Sequence, residues 1–177
     1  MTENKIHFQQ FLTKFGTIIA LIAVFVVFAS FVSGFIQVRN LLNILRQIAL
    51  LAIISEGFTM CLIVGELDLS FAHVASLTSV IAAGLIISGM NPLLAIIISL
   101  SVGAAFGIVA GLLVTKVGIP SLITTLATGI IATGLIYAYT KGVSFYGKMP
   151  ESFLALGRGD IGPIPSLVVI MLIVVFA

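Results

Sequence analysis

The acidic groups of this chain are few and unusually placed. Glu66 and Asp68 stand two residues apart in the stretch Gly65-Glu66-Leu67-Asp68-Leu69-Ser70, with apolar runs on both sides. Glu56 lies upstream beside Gly57, and His73 follows downstream. An ionisable group at membrane depth is expensive, so its default reading is functional. Paired carboxylates suit a general acid/base pair, a cation site, or the polar lining of a break between helices. The first of these needs a nucleophile or metal partner, and His73 is the nearest histidine. Glu66, Asp68 and His73 assemble into a metal site only on paper, since their spacing matches no standard ligand pattern. Neither a metal nor another cofactor is therefore expected. Asp68 or Ser70 can also cap a helix beginning at Phe71, a structural role compatible with lining a pathway. Broken helices at membrane depth are tolerated where they are buried in protein or line a cavity, and transporters build sites near the midplane from them.

The surrounding chain explains why membrane depth is the right frame. Of its 177 residues 60% are hydrophobic and only 8% are charged, with a mean hydropathy of +1.33. A soluble domain of this size cannot hide that much apolar surface. The class is a polytopic membrane protein, an all-α helix bundle in contact with lipid. A net charge of +2 suggests neither a nucleic-acid partner nor a polybasic surface role. Cys61 is the single cysteine and cannot form an intrachain disulfide. Tryptophan is absent, so Phe and Tyr must supply any aromatic belt.

Five full spans and a truncated sixth are expected, all within one domain. After a polar lead from Met1 to Lys14, the uncharged run Phe15 to Ile36 exceeds the ~20 residues that cross a bilayer and outlasts a signal-peptide core of about 7–15. In Gln37 to Gln47 the residues Leu41, Leu42, Ile44 and Leu45 alternate with polar ones at helical spacing, which predicts a separate amphipathic helix at the interface. The second span, Ile48 to Val64, carries Glu56, read as a pathway carboxylate or a neutral acid bonded to a neighbour. The third is Phe71 to Ser88. A turn at Gly89-Met90-Asn91-Pro92 leads to the fourth, Leu93 to Val114, with Pro in its first turn. That span has small residues at every fourth position, Ala95, Ser99, Gly103, Gly107, Gly111 and Thr115, a stripe that reads as a packing face.

The fifth span, Ser121 to Tyr139, bears hydroxyls at Ser121, Thr124, Thr125, Thr128 and Thr133. Thr124 and Thr125 are candidates to line a solute pathway, although such hydroxyls also bond back to their own helix or glue helices together. Thr140 to Pro165 is the one sizeable loop, and a loop of this length is usually functional or disordered. Its Phe153, Leu154 and Leu156 suggest a short amphipathic segment. Ser166 to Ala177 begins a sixth span of roughly half a bilayer, so the chain reads as a fragment cut in mid-helix. Counting Lys and Arg leaves the orientation open. No phosphate-cradling glycine loop, zinc-protease motif or serine-nucleophile pentapeptide appears; if ATP drives this protein, another chain binds it.

Taken together, the run NLLNILRQIALLAIISEGFTMCLIVGELDLS resembles the membrane permeases of ribose-type sugar ABC importers, in which an NLxNILRQ-like segment precedes a helix and a Gly-Gly-Ile-Asp-Leu-Ser signature. The stretches GIPSLITTLATGIIATGLIYAYTKGVSF and FLALGRGDIGPIP resemble later segments of the same family, so the likeness covers roughly residues 36–165. Gly65, Leu67, Asp68, Leu69 and Ser70 fit the signature, with Glu66 in place of its second glycine and Leu67 in place of isoleucine. The family usually continues with a small Val-Gly-Ser-like run where this chain has Phe71-Ala72-His73. Glu56 falls where it usually has a neutral residue.

The resemblance implies the N-terminal half of a bacterial inner-membrane permease with a cytoplasmic N-terminus, passing a sugar or sugar-like solute by alternating access and doing no bond chemistry. The partners it implies are a second permease subunit, identical or homologous, cytoplasmic ATP-binding subunits, and an extracytoplasmic solute-binding protein that the Thr140 to Pro165 loop could touch. Two alternatives are an intramembrane enzyme using Glu66, Asp68 and His73, and a non-transporting half-permease that modulates a partner.

Overall fold

A computed structural model describes residues 3–176; the first two residues of the polar lead and Ala177 lie outside them. Among the described residues seven α-helices follow one another: α1 (Glu3–Phe31), α2 (Val38–Ile63), α3 (Phe71–Ile87), α4 (Pro92–Leu112), α5 (Ser121–Thr140), α6 (Glu151–Arg158) and α7 (Ser166–Phe176). A π-helical turn, Leu113–Val117, extends α4, and a small antiparallel hairpin of β1 (Asp160–Ile161) and β2 (Ile164–Pro165) sits between α6 and α7. The chain is thus an all-α polytopic membrane bundle. Among the described residues four helical stretches are long and apolar enough to cross a membrane: Thr13–Phe31, Val38–Ile63, Pro92–Val117 and Ser121–Thr140. α3 and α7 are shorter apolar helices of 17 and 11 residues. The expected third span is short because it begins only after the break at Gly65–Ser70. Large apolar side chains such as Leu21, Ile63, Leu100 and Ile130 are each more than 60% exposed along these helices, a surface that only lipid or further protein can cover.

One expectation fails. The separate interfacial helix over Gln37 to Gln47 does not exist; those residues from Val38 onward are the beginning of α2, which runs unbroken to Ile63. No glycine or proline lies between Arg39 and Ser55 to stop it, so the helix propagates from its polar first turns into its apolar body.

Contacts divide the chain into two units, residues 1–45 and 46–177. In the first, the chain leaves α1 through a turn in which Gly34 adopts φ +85°. The Phe35 ring folds back against Phe25 and Phe28, with centroids 5.3 and 5.7 Å away. The Asn40 side-chain amide donates to the Phe35 carbonyl at 2.7 Å.

The second unit is organised around α3, α4 and α5. Leu69 bonds Thr125, His73 meets Gly129 and Thr133, and Gly84 meets Tyr139; residue numbers rise together, so α3 and α5 run parallel. α4 runs back antiparallel to them, packed mainly on α3. Its start is fixed by Asn91, whose side-chain oxygen accepts from the Leu93 N–H at 2.9 Å while Pro92 opens the helix. Ala95 and Ser99 of the small-residue stripe are buried, and a side chain added at Gly103 would come within 3.2 Å of Thr78 on α3. Close backbone approach here replaces the large apolar contacts of a soluble core.

Beyond α5, Ser166 ties the outer segment together. Its hydroxyl lies 2.9–3.0 Å from the carbonyls of Ala155, Leu156 and Gly159 at the end of α6, and its N–H donates to Gly159 at 3.0 Å. The Ala155 carbonyl also accepts from the Gly159 N–H at 2.9 Å, so the serine supplements the bonds with which the helix end closes.

Candidate functional site

The stretch from Gly65 to Ser70 is a break between two helices. α2 ends in a Schellman arrangement: the Gly65 N–H donates to Leu62 at 3.0 Å and the Glu66 N–H to Cys61 at 3.0 Å. Gly65 takes φ +82°, a conformation costly for any residue with a Cβ. Glu66 to Ser70 then runs without regular structure to α3.

That segment would carry unpaired backbone groups were it not for α5. Leu67 N–H donates to the Ser121 hydroxyl at 3.3 Å and Leu69 N–H to the Thr125 hydroxyl at 3.1 Å. The Thr125 hydroxyl in turn donates to the Ser121 carbonyl at 2.8 Å, with the Leu67 carbonyl 3.3 Å away. The match is geometric. Two residues of extended chain advance roughly 6.6 Å, and four residues of α-helix advance about 6 Å. Hydroxyls at i and i+4 of a helix therefore fall opposite alternate N–H groups of an extended segment.

Asp68 holds the far end of the break. Its Oδ1 accepts from the Ser70 N–H at 2.7 Å and from the Ser70 hydroxyl at 2.6 Å. Ser70 stands at the N-cap of α3 and is buried, yet its hydroxyl makes no cap bond to the helix. The two residues therefore divide the work differently from a simple cap: Asp68 fixes Ser70, and its carboxylate lies by the positive end of the α3 dipole. Glu66 is exposed, and its side chain has no hydrogen bond or ion pair among the described residues.

The break lies level with the first turn of α5, at one end of that helix, rather than halfway along it. Glu56 is half-buried on α2, and its side chain has no hydrogen-bond partner among the described residues. Thr124 is buried, its hydroxyl without a partner among the described residues, at a largely apolar cavity of about 420 Å³ between α4 and α5 that Thr128 also lines. Ser99 bonds back to Ala95 at 2.7 Å. Gly107 and Gly111 have open space where a side chain would be, so the stripe on α4 is covered within this chain only up to Gly103. Among the described residues no group of three or more His, Cys, Asp and Glu is placed to hold a metal ion.

The pairings across the break carried no local signal, although Thr125 was itself a candidate. Ser121 and Thr125 differ from the other hydroxyls of α5 only by what they face, 54 and 56 residues away in sequence. The Arg46–Asp160 pair, 2.6 Å between nitrogen and oxygen, joins the start of this unit's part of α2 to the hairpin across 114 residues.

The family described as branched-chain amino acid transport system / permease component matches residues 40–177. The ribose import permease protein of Bacillus subtilis (strain 168) is 34% identical over 176 residues, which cover 98% of this chain and 55% of that protein. The ribose import permease protein of Escherichia coli (strain K12) is 30% identical over 185 residues, covering 100% of this chain and 58% of that protein. The D-allose transport system permease protein of Escherichia coli (strain K12) is 29% identical over 174 residues, covering 97% and 53%. The chain spans about half the length of the curated relatives it matches. No solved structure matches it.

Proposed function

The chain belongs to the branched-chain amino acid transport system / permease component family, and from that premise we propose that it forms part of the translocation pathway of an ATP-driven importer for a sugar or sugar-like solute. The observation that carries this reading is the match of nearly the whole chain to proteins whose names are ribose and D-allose permeases. The solute class follows from those names, and the energy source from the resemblance to ABC importer permeases alone. ATP would be hydrolysed by separate cytoplasmic subunits. A second permease subunit would complete the channel, and an extracytoplasmic binding protein would deliver the solute to the side that carries α6 and the hairpin.

In this reading the Gly65–Ser70 break is the element that moves or is gripped when the pathway changes access. Its regular hydrogen bonds are replaced by side-chain ones from α5, which can be exchanged without unfolding a helix. Glu56, Glu66, Thr124 and Thr125 remain pathway candidates by position. The test is uptake of labelled D-ribose and D-allose by cells carrying the full-length permease and its partner genes. Asp68→Ala is expected to lower uptake, or its coupling to ATP hydrolysis, while the protein still inserts in the membrane. Normal coupled uptake by that variant would remove the break from the mechanism.

A further inference from the structure

The turn between α1 and α2 borders a polar hollow. A cavity of about 460 Å³ opens there, and its lining includes Ser33, Gln37, Arg39, Asn40 and Asn43. Its lining residues all fall between 32 and 43, so the hollow is built within the first unit. A second hollow of about 550 Å³ shares the residues of the turn and continues along the end of α1, where Ala29, Phe31 and Ile36 line it. The apolar stretch Thr13–Phe31 ends where the turn begins. The polar hollow is therefore at the depth of lipid headgroups, and the second one reaches toward the hydrocarbon.

Local chemistry places these groups. Gly34 reverses the chain at φ +85°, and the Gln37 side chain lies over it, its amide carbon 3.3 Å from where a Gly34 Cβ would stand. The Asn40 amide, donating to the Phe35 carbonyl at 2.7 Å, holds the turn closed. The side chains of Ser33, Gln37 and Arg39 make no hydrogen bond or ion pair among the described residues. Arg39 is exposed. A guanidinium stays charged in proteins and only donates hydrogen bonds. Residues 4–55 contain no Asp or Glu, so the turn and the helix ends beside it supply no counter-charge.

The ligand follows from these donors. A guanidinium fork matches the oxygens of a phosphate group, and Ser33 and Gln37 add neutral donors. Unpaired cations beside a membrane surface attract anionic headgroups. With no carboxylate beside Arg39, nothing in the turn offsets the ammonium of a zwitterionic headgroup. The adjoining hollow separates a lipid from a free anion, because inorganic phosphate has no part that would contact Phe31 and Ile36.

We propose that the α1–α2 turn binds one anionic phospholipid, its phosphate held by Arg39 with Ser33 and Gln37, and its glycerol and first acyl carbons in the hollow beside Phe31 and Ile36. The proposal does not rest on the transport reading.

The experiment titrates phosphatidylglycerol into purified full-length permease in a non-ionic detergent and counts bound lipid by native mass spectrometry. One lipid should bind more tightly than the rest, and more tightly than phosphatidylethanolamine with the same chains. Arg39→Gln should weaken that first binding about tenfold, as expected for loss of a charged hydrogen-bond partner. Arg39→Lys keeps the charge without the fork and should recover part of the loss. Lys14→Gln removes one charge near the other end of the Thr13–Phe31 stretch and should leave the first binding unchanged. Ser33→Ala, at an exposed position, reads the same site should Arg39→Gln not fold, and should weaken binding about threefold. Equal weakening by Lys14→Gln would mean diffuse charge attraction, equal binding of the two lipids would mean no selectivity for an anion, and displacement by excess inorganic phosphate would mean a free-anion site. Each of these would overturn the proposal, as would unchanged affinity in a folded Arg39→Gln or, failing that variant, in Ser33→Ala.

Discussion

Thr125→Val tests whether the break is held by α5 hydroxyls. Valine keeps the shape of threonine but replaces the hydroxyl with a methyl. The Leu69 N–H, now 3.1 Å from its acceptor, would lose that bond to α5. An unsatisfied, partly buried N–H costs about 1–3 kcal/mol, and the partial exposure of Leu69 places this case toward the lower half. A change of about 1–2 kcal/mol is roughly a five- to thirtyfold shift in a local opening equilibrium. The assay is hydrogen–deuterium exchange by mass spectrometry of the permease in nanodiscs, read on peptides covering residues 66–71. Exchange there should speed by that factor, with little change in α4. Ser121→Ala, which removes a longer bond of 3.3 Å, should have a smaller effect. Thr128→Val is the control, because its hydroxyl bonds only Thr124 of its own helix. Equal acceleration in Thr125→Val and Thr128→Val, or none in either, would refute the idea that these hydroxyls stand in for the backbone partners of the break.

Two further perturbations address the packing. An added Cβ at Gly84 would collide with the Tyr139 hydroxyl and ring, so Gly84→Ala should destabilise the α3–α5 pair by about 1–3 kcal/mol; Tyr139→Leu in the same chain should relieve most of it, and strict additivity of the two in thermal unfolding would contradict the collision. The Arg46–Asp160 pair is partly exposed, so Arg46→Asp should cost less than about 1 kcal/mol in stability yet raise protease cutting in the hairpin. The double change Arg46→Asp with Asp160→Arg should restore protection, and no restoration would mean the pair does not hold the hairpin.

The break was legible in the sequence because its residues conflict with their surroundings. A glycine, two acids and a serine between apolar runs agree with neither a continuous span nor a soluble loop. The turn at Asn91-Pro92 was legible for a similar reason, since a capping side chain and a fixed φ act locally. What failed was the boundary in Gln37 to Gln47. Alternating Leu and polar residues describe one face of a helix but not where that helix lies or ends, and the same pattern fits an interfacial helix and the polar start of a long one. The two-residue strands β1 and β2 are too short to show a period; Phe153, Leu154 and Leu156, by contrast, correctly marked a short helical segment, which is α6. The partners of the break and of His73 were not legible because they come from another helix more than 50 residues away.

The α3–α5 pair shows why glycine and aromatic positions matter together here. His73 of α3 fits against Gly129 of α5, and Tyr139 of α5 fits against Gly84 of α3. Each helix thus supplies one ring and one gap, on a parallel pair that would otherwise meet through small apolar side chains. In lipid no hydrophobic force drives helices together, so shape fit and interhelical hydrogen bonds must do it. The Tyr139 contact is steric and is braced by Phe145, edge-on with centroids 5.5 Å apart. The His73 contact adds a hydrogen bond to Thr133. Packing alone would be served by a second aromatic ring at position 73, as at position 139. A histidine there adds a ring nitrogen within hydrogen-bond distance of Thr133, which a plain aromatic ring would lack. The hydroxyls at the helix end bind the break, and the paired rings, one of them hydrogen-bonded, fix α3 against α5.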